Sequence, residues 1–225
     1  MKQEVNPQDT GRARAFELWM DSPMPMVTLT KTLDVSRLCR MSRRHGLQFN
    51  MLMCWSIGRV ASRIDEFFLL PVPYRRLPHQ DNAMDDDVQK GKLFRYDRLA
   101  VNIIVNNKEG GINSCDIPYT DDLVQFNSDY QTLTKTAIST CKSSYDDDAM
   151  VVGTSAMTDT ELDSIVNQYT EHFCNPMLIW GKYRKKLFRT FLPVSFQFHH
   201  VQMDGGHAAR FLEELQRQIK TIKIQ

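Results

Sequence analysis

The passage from Leu192 to Ile219 constrains the fold more than any other part of the chain. Between Leu192 and His200, apolar and polar residues alternate. Val194, Phe196 and Phe198 fall on one side of an extended chain, and Ser195, Gln197 and His199 fall on the other. The period then changes. Asp204 opens a segment in which Ala208, Phe211, Leu212, Leu215 and Ile219 recur at helical spacing. A strand with one apolar face and a helix with one apolar stripe share a core most simply when the helix packs on the sheet.

The rest of the chain adds elements of both kinds. A short helix is expected over residues 12–20, stopped by Pro23 and Pro25. Val27, Leu29 and Lys31 alternate with threonines as a strand. Asp34 or Ser36 can cap a helix carrying Leu38 and Met41, with Gly46 just past its end. Met53, Ile57, Val60, Ile64 and Phe67 or Phe68 predict one long amphipathic helix. Residues 71–98, with Pro71, Pro73, Pro78 and the run Asp85-Asp86-Asp87, read as irregular. The acidic run reads as a solvated turn, because three adjacent carboxylates do not converge on one ion. Leu99 to Val105 reads as a strand ending in a turn at residues 106–111, and Leu123, Phe126, Tyr130, Leu133 and Ala137 lie on one helical face. Thr158 and Glu161 form a capping-box pattern, which predicts a helix carrying Leu162, Ile165, Val166, Tyr169 and Phe173. Helices and strands are mixed without regular βαβ alternation. The expected fold is a two-layer α/β sandwich with a mixed, largely antiparallel sheet and packed helices. With no internal repeat and no long linker, residues 1–225 read as one domain.

Composition excludes several classes. The 225 residues carry 28 Lys+Arg against 27 Asp+Glu, so the net charge of +1 exerts no general pull on nucleic acid or an acidic membrane; any anionic ligand must be met by local placement of charge. Five cysteines, odd in number and without a Cys-x-x-Cys, argue against a disulfide framework or zinc site and fit a reducing cytoplasm. The polar amino end has no signal-peptide core, and the most apolar stretch, residues 49–57, is interrupted by Asn50 and too short to span a bilayer.

Three of the six histidines (His199, His200 and His207) lie within nine residues, beside Asp204, Gly205 and Gly206. An imidazole titrates near neutrality and can take a proton from a hydroxyl and return it later. Each residue also has a plainer reading: a satisfied structural histidine at a strand end, and Asp204 as a helix N-cap. Metal binding is disfavoured, because adjacent residues of a strand such as His199 and His200 point to opposite faces.

The run His199-His200-Val-Gln-Met-Asp204-Gly205-Gly-His207 resembles the His-His-x-x-x-Asp-Gly signature of the chloramphenicol acetyltransferase family. Further similarities follow in family order. They comprise Arg12 four residues before Phe16, Gln48-Phe49-Asn50 ahead of a long helix, Pro118-Tyr119, Thr154-Ser155-Ala156, and Gly181-Lys182-Tyr183 followed by Leu-Pro-Val. The resemblance covers nearly the whole chain and is weakest at 71–98.

This resemblance implies a homotrimer with active sites at subunit interfaces. It also implies direct transfer of acetyl from acetyl-coenzyme A to a hydroxyl of a small molecule, with no metal and no covalent enzyme intermediate. His200 takes the role of general base, Ser155 that of oxyanion donor, and Asp204 pairs with Arg12 to fix the catalytic loop. Lys182 and Tyr183 contact coenzyme A. Neither nucleic acid nor membrane is implied as a partner. Asn50 replaces an aromatic residue usual in the family, Met157-Thr158 replaces Pro-Trp, and Gly110-Gly111-Ile112 replaces a segment with an aromatic residue at the acceptor pocket. These changes bear on the acceptor rather than on acetyl transfer. Rival readings are the acyltransferase core of a 2-oxo-acid dehydrogenase complex, half of a peptide-synthetase condensation domain, and a non-catalytic trimeric binding protein on the same scaffold.

Overall fold

A computed structural model describes residues 1–74, 91–170 and 172–223. The chain runs through β1 (Lys2–Val5), α1 (Ala13–Trp19), β2 (Met26–Asp34), α2 (Ser36–His45), α3 (Phe49–Ala61), β3 (Leu69–Val72), β4 (Lys92–Tyr96), β5 (Leu99–Asn106) and β6 (Ile112–Pro118). It continues through α4 (Leu123–Thr140), β7 (Met150–Ala156), β8 (Met177–Trp180), β9 (Arg184–Lys186), β10 (Arg189–His199) and α5 (Gly205–Thr221). The main sheet has the order β2-β10-β8-β7-β5-β6, with β9 also pairing β10. Strands β8, β7 and β5 are mutually parallel, and the remaining pairings are antiparallel. The expected α/β architecture with a mixed, largely antiparallel sheet is what forms.

The helices cover one face of this sheet. Phe196 and Phe198 of β10 meet Phe67 and Phe211 in an aromatic cluster, so the even-numbered side of β10 faces the core as the alternation predicted. The buried residues of α5 are Ala208, Phe211, Leu212, Leu215 and Ile219, the stripe read from sequence. Gly46, with a φ of 65°, ends α2 in the left-handed conformation that an L side chain disfavours. The cap of α2 starts one residue from expectation. Val35 is its N-cap, while Asp34 accepts hydrogen bonds from the Ser36 backbone and hydroxyl.

Three expectations need correction. The amphipathic helix through Phe68 ends at Ala61 and gives way to a 3-10 turn at Asp65–Phe68. Moreover, α3 is buried on nearly all sides, because α2, α4, α5 and the sheet surround it. Residues 71–98 are not wholly irregular. β3 and β4 join β1 in a small antiparallel sheet, where Pro71 is tolerated because β3 is an edge strand. Pro78 and Asp85-Asp86-Asp87 lie outside the described residues. Finally, no helix forms over 162–170. That stretch takes up no regular secondary structure, and its backbone is bound by side chains on the open face of β10. The Ser195 hydroxyl accepts from Ile165 N–H at 2.9 Å, and the Gln197 amide donates to the Asn167 carbonyl at 2.9 Å. Side chains thirty residues away outcompete local helix propensity.

Candidate functional site

The turn after β10 carries His200, and contacts from α1, β3 and the chain entering β2 hold it. His200 N–H donates to the Pro25 carbonyl at 2.8 Å, fixing the turn to the chain entering β2. The Arg12 guanidinium, buried at the start of α1, donates to the His200 carbonyl (2.8 Å), the Val201 carbonyl (2.9 Å) and the Asp204 carboxylate (3.2 Å). The Gln202 amide, also buried, donates to the Leu69 carbonyl of β3 at 2.8 Å. Trp19, the last residue of α1, stacks on the His200 ring with centroids 4.9 Å apart and planes 7° from parallel. Imidazole Nδ1 is buried without a hydrogen-bond partner, which leaves Nε2 as the nitrogen open to solvent.

Asp204 does two jobs at once. Its carboxylate accepts from Gly206 N–H (2.9 Å) and His207 N–H (3.1 Å), capping α5, while its other oxygen meets Arg12. His207 completes the cap by accepting from Asp204 N–H, and its Nε2 lies 3.2 Å from the Glu66 carboxylate. Burial pushes the Asp204 carboxyl up, but the His207 N–H, the His207 ring and the Arg12 guanidinium outweigh it and leave it below the usual carboxylate value. The N-cap and the contact with Arg12 are therefore made by the same carboxylate.

His199 points away from His200 and is fully buried. Its Nδ1 accepts from Val201 N–H at 3.1 Å. Burial, aided by the neighbouring His200, pushes it down to about 4, so at neutral pH it is an uncharged structural ring. Among the described residues, no group of three or more His, Cys, Asp or Glu is gathered as metal ligands.

The other expected residues lie at the opposite end of the central strands. Ser155 of β7 is half-buried on the open face, and its hydroxyl has no hydrogen-bond partner among the described residues. Its neighbour Thr154 points to the core and donates to the Asn102 carbonyl. Ser155 is in register with Ile179 of β8, and Ile179 with Ser195 of β10. Two strand spacings across and five residues along place His200 about 19 Å from Ser155 within one chain. Lys182 and Tyr183, between β8 and β9, lie near the Ser155 end. With Gln48, Phe49, Asn50 and Trp180 they line a cavity of about 390 Å³, in which the Tyr183 ring is 5.3 Å from that of Phe49. Gly181 permits the fold there. A Cβ on it would meet the Thr160 carbonyl at 2.7 Å, and that contact seats the Lys182 backbone, whose N–H donates to the same carbonyl.

The structure thus brings Arg12, Asp204 and His200 together, and separately Lys182 and Tyr183, but it does not join the two groups within one chain. Sequence reasoning missed Trp19 and Gln202. Trp19 follows Arg12 by seven residues, two helical turns, so their shared helix face was a usable signal. Gln202 gave none.

A family model for chloramphenicol acetyltransferase matches residues 4–216. Chloramphenicol acetyltransferase 3 of Escherichia coli is 25% identical over 219 residues, covering 91% of each chain. The chloramphenicol acetyltransferase of Clostridium butyricum is 24% identical over 209 residues, covering 89% of this chain and 87% of its own. A solved chloramphenicol acetyltransferase superposes with a TM-score of 0.77 at 19% identity, covering 97% of this chain and all of its own. The Azotobacter vinelandii dihydrolipoamide acetyltransferase follows with a TM-score of 0.61 at 17% identity over 97% of this chain and 91% of its own, a likeness of fold. With a family match over nearly its full length, and with Arg12 of α1 bound to the turn that carries His200 and Asp204, this chain belongs to the chloramphenicol acetyltransferase family.

Proposed function

We propose that the protein is an acetyl-coenzyme A-dependent O-acetyltransferase, acting as a single domain over residues 1–225. It transfers acetyl to a hydroxyl of chloramphenicol or a related small molecule. The observation that carries this reading is the His200 ring: Nδ1 is buried, Nε2 is open, and Trp19 holds the ring face. With its proton on Nδ1, the ring presents a lone pair at Nε2.

In the mechanism, Nε2 accepts the proton of the acceptor hydroxyl as that oxygen attacks the thioester carbonyl carbon. The Ser155 hydroxyl donates to the oxyanion that forms, an interaction that strengthens as charge develops. The tetrahedral adduct then collapses, the carbon–sulfur bond breaks, and His200 returns the proton to the departing sulfur. Arg12 and Asp204 hold the turn that aims the ring. Lys182, by charge, and Tyr183, by its ring, contact coenzyme A in the cavity they line.

The separation of His200 from Ser155 gives this chemistry a requirement. Two copies must meet so that one supplies His200 and another supplies Ser155, which favours a homotrimer with active sites at subunit interfaces. Exposed apolar residues on the sheet's open side, among them Ile104, Ile112 and Val166, suit such burial. No helix among the described residues is long and apolar enough to cross a membrane, and no disulfide joins the cysteines among them.

The test is release of coenzyme A thiol by purified protein with a panel of hydroxyl acceptors that includes chloramphenicol. His200→Ala is expected to lower the rate by about a hundredfold or more. An unchanged rate in that variant sinks the assignment. Binding of acetyl-coenzyme A without turnover of any acceptor would instead favour the non-catalytic scaffold.

A further inference from the structure

The two most exposed large apolar side chains of the described residues are neighbours. Leu187 and Phe188 are 98% and 97% exposed and form the two-residue connection between β9 and β10. Leu187 has a φ of 48°, a conformation in which such connections ordinarily use glycine or asparagine. An ordinary tight turn is polar. Here the chain instead holds a strained leucine and a phenylalanine clear of its body.

Their surroundings are cationic. Lys185, Lys186 and Arg189 flank the tip and are exposed. The adjoining helix α2 adds Arg40, Arg43 and Arg44, which line a shallow groove on its outer side. The two groups belong to one surface: Thr190 N–H donates to the Ser36 hydroxyl, and Lys185, Arg40 and Arg43 all act electrostatically on the Cys39 thiol. No Asp or Glu occurs between Val35 and Ile64, nor between His172 and Met203. Acidic groups from elsewhere reach the hairpin at Arg184, which pairs with Glu161 and Asp163, and near Arg189, which acts on Asp34; Lys185, Lys186 and the α2 arginines have no ion pair among the described residues.

We propose that the β9–β10 hairpin and the arginine-bearing side of α2 form a docking surface for an anionic lipid bilayer. Leu187 and Phe188 enter below the headgroups, and the six cations meet lipid phosphates. This departs from the absence of a membrane partner expected from overall charge. It does not depend on the acetyltransferase reading. Three features select this occupant. Two carbon-only side chains at a protruding tip suit hydrocarbon. Cations placed around them suit a negatively charged headgroup layer. A second copy docking through the same surface would oppose like charges, and leucine offers no face for stacking on a nucleic-acid base.

The experiment is co-sedimentation of the full chain with vesicles of phosphatidylcholine alone or mixed with phosphatidylglycerol, at low and high salt. Binding is expected only to the mixed vesicles and is expected to weaken with salt. Lys185→Gln/Lys186→Gln should weaken it on the order of twentyfold, about fivefold for each cation removed. Leu187→Ser/Phe188→Ser should weaken it by more than about tenfold while leaving acetyl transfer and mass by light scattering unchanged. Absent binding, equal binding to neutral vesicles, or a tip variant that binds like the parent overturns the proposal. So does a change of oligomeric mass in the tip variant, which would place the hairpin between copies. Tip-dependent retention of an RNA homopolymer without vesicle binding would assign the surface to nucleic acid.

Discussion

Trp19 lies flat against His200, and this stack is the contact that orients the imidazole face. Neither ring nitrogen of His200 is held by a hydrogen bond within the described chain: Nδ1 is buried and unpartnered and Nε2 is open. An aromatic stack contributes about 0.5–1.5 kcal/mol. Trp19→Ala is therefore expected to free the ring and lower kcat about tenfold. The melting temperature should change little, because Trp19 is already 37% exposed. Trp19→Phe should restore most of the rate. Steady-state kinetics on the three proteins check this. A kcat unchanged in Trp19→Ala with a raised acceptor KM would make Trp19 a wall of the acceptor pocket instead.

Arg12 is expected to behave as a structural residue as much as a catalytic one. Its fork satisfies two carbonyls of the His200 turn and one oxygen of Asp204. The Asp204 side chain is 45% exposed, so the ion pair is only half removed from water and the two carbonyls matter as much as the charge. Arg12→Ala should cost about 3 kcal/mol, seen as a lower denaturant midpoint, together with lost activity. Arg12→Lys keeps the charge but cannot make the fork and should recover less than half of either. An unchanged midpoint in Arg12→Ala would show that the turn is held by Pro25, Gln202 and the Asp204 cap alone.

His199 makes stability depend on pH between 6.5 and about 4. Its value falls from 6.5 to about 4 on folding, so between these limits the unfolded chain binds more protons than the native one. Stability is therefore full above the upper limit and is lost as pH falls toward the lower, by about 3 kcal/mol. The stability added by Asp34 and Asp204, lowered from 3.8, and by Glu213, lowered from 4.5, is lost only toward the bottom of this window, where burial-raised Asp116 acts in the opposite sense. His199→Asn keeps an acceptor for Val201 N–H and removes the titration. Across the window its denaturant stability should fall by less than the parent's, the difference approaching about 3 kcal/mol at the lower limit. Parallel curves for the two proteins would place the proton uptake elsewhere.

What could be read before the structure follows from how local each determinant is. The β10 alternation, the Asp204 cap and the α5 stripe are written within a few residues, and all three formed as read. The helix expected beyond Glu161 failed because its competitors, Ser195 and Gln197, lie thirty residues on and bind the backbone only once the sheet exists. The small sheet was hidden for the same reason, since β1 pairs with a strand ninety residues away. Around the site, Arg12, His200 and Asp204 were legible through resemblance. Gln202 was not, because a glutamine between two apolar residues looks solvent-facing until Leu69 supplies its buried acceptor.

The separation of about 19 Å between His200 and Ser155, set by strand spacing and rise, leads to a complementation experiment. His200→Ala and Ser155→Ala should each be nearly inactive alone, the second reduced about a hundredfold. When the two are unfolded together and refolded in equal amounts, some interfaces pair His200 from a Ser155→Ala chain with Ser155 from a His200→Ala chain. Random assembly into a closed ring makes about one interface in four intact, so about a quarter of parental activity should return. Refolding either variant alone returns none, which controls for partial rescue by the procedure. Activity no greater than the sum of the two variants would mean that these side chains do not act together across an interface. The role of Ser155 would then fall, while that of His200 would still rest on its own substitution.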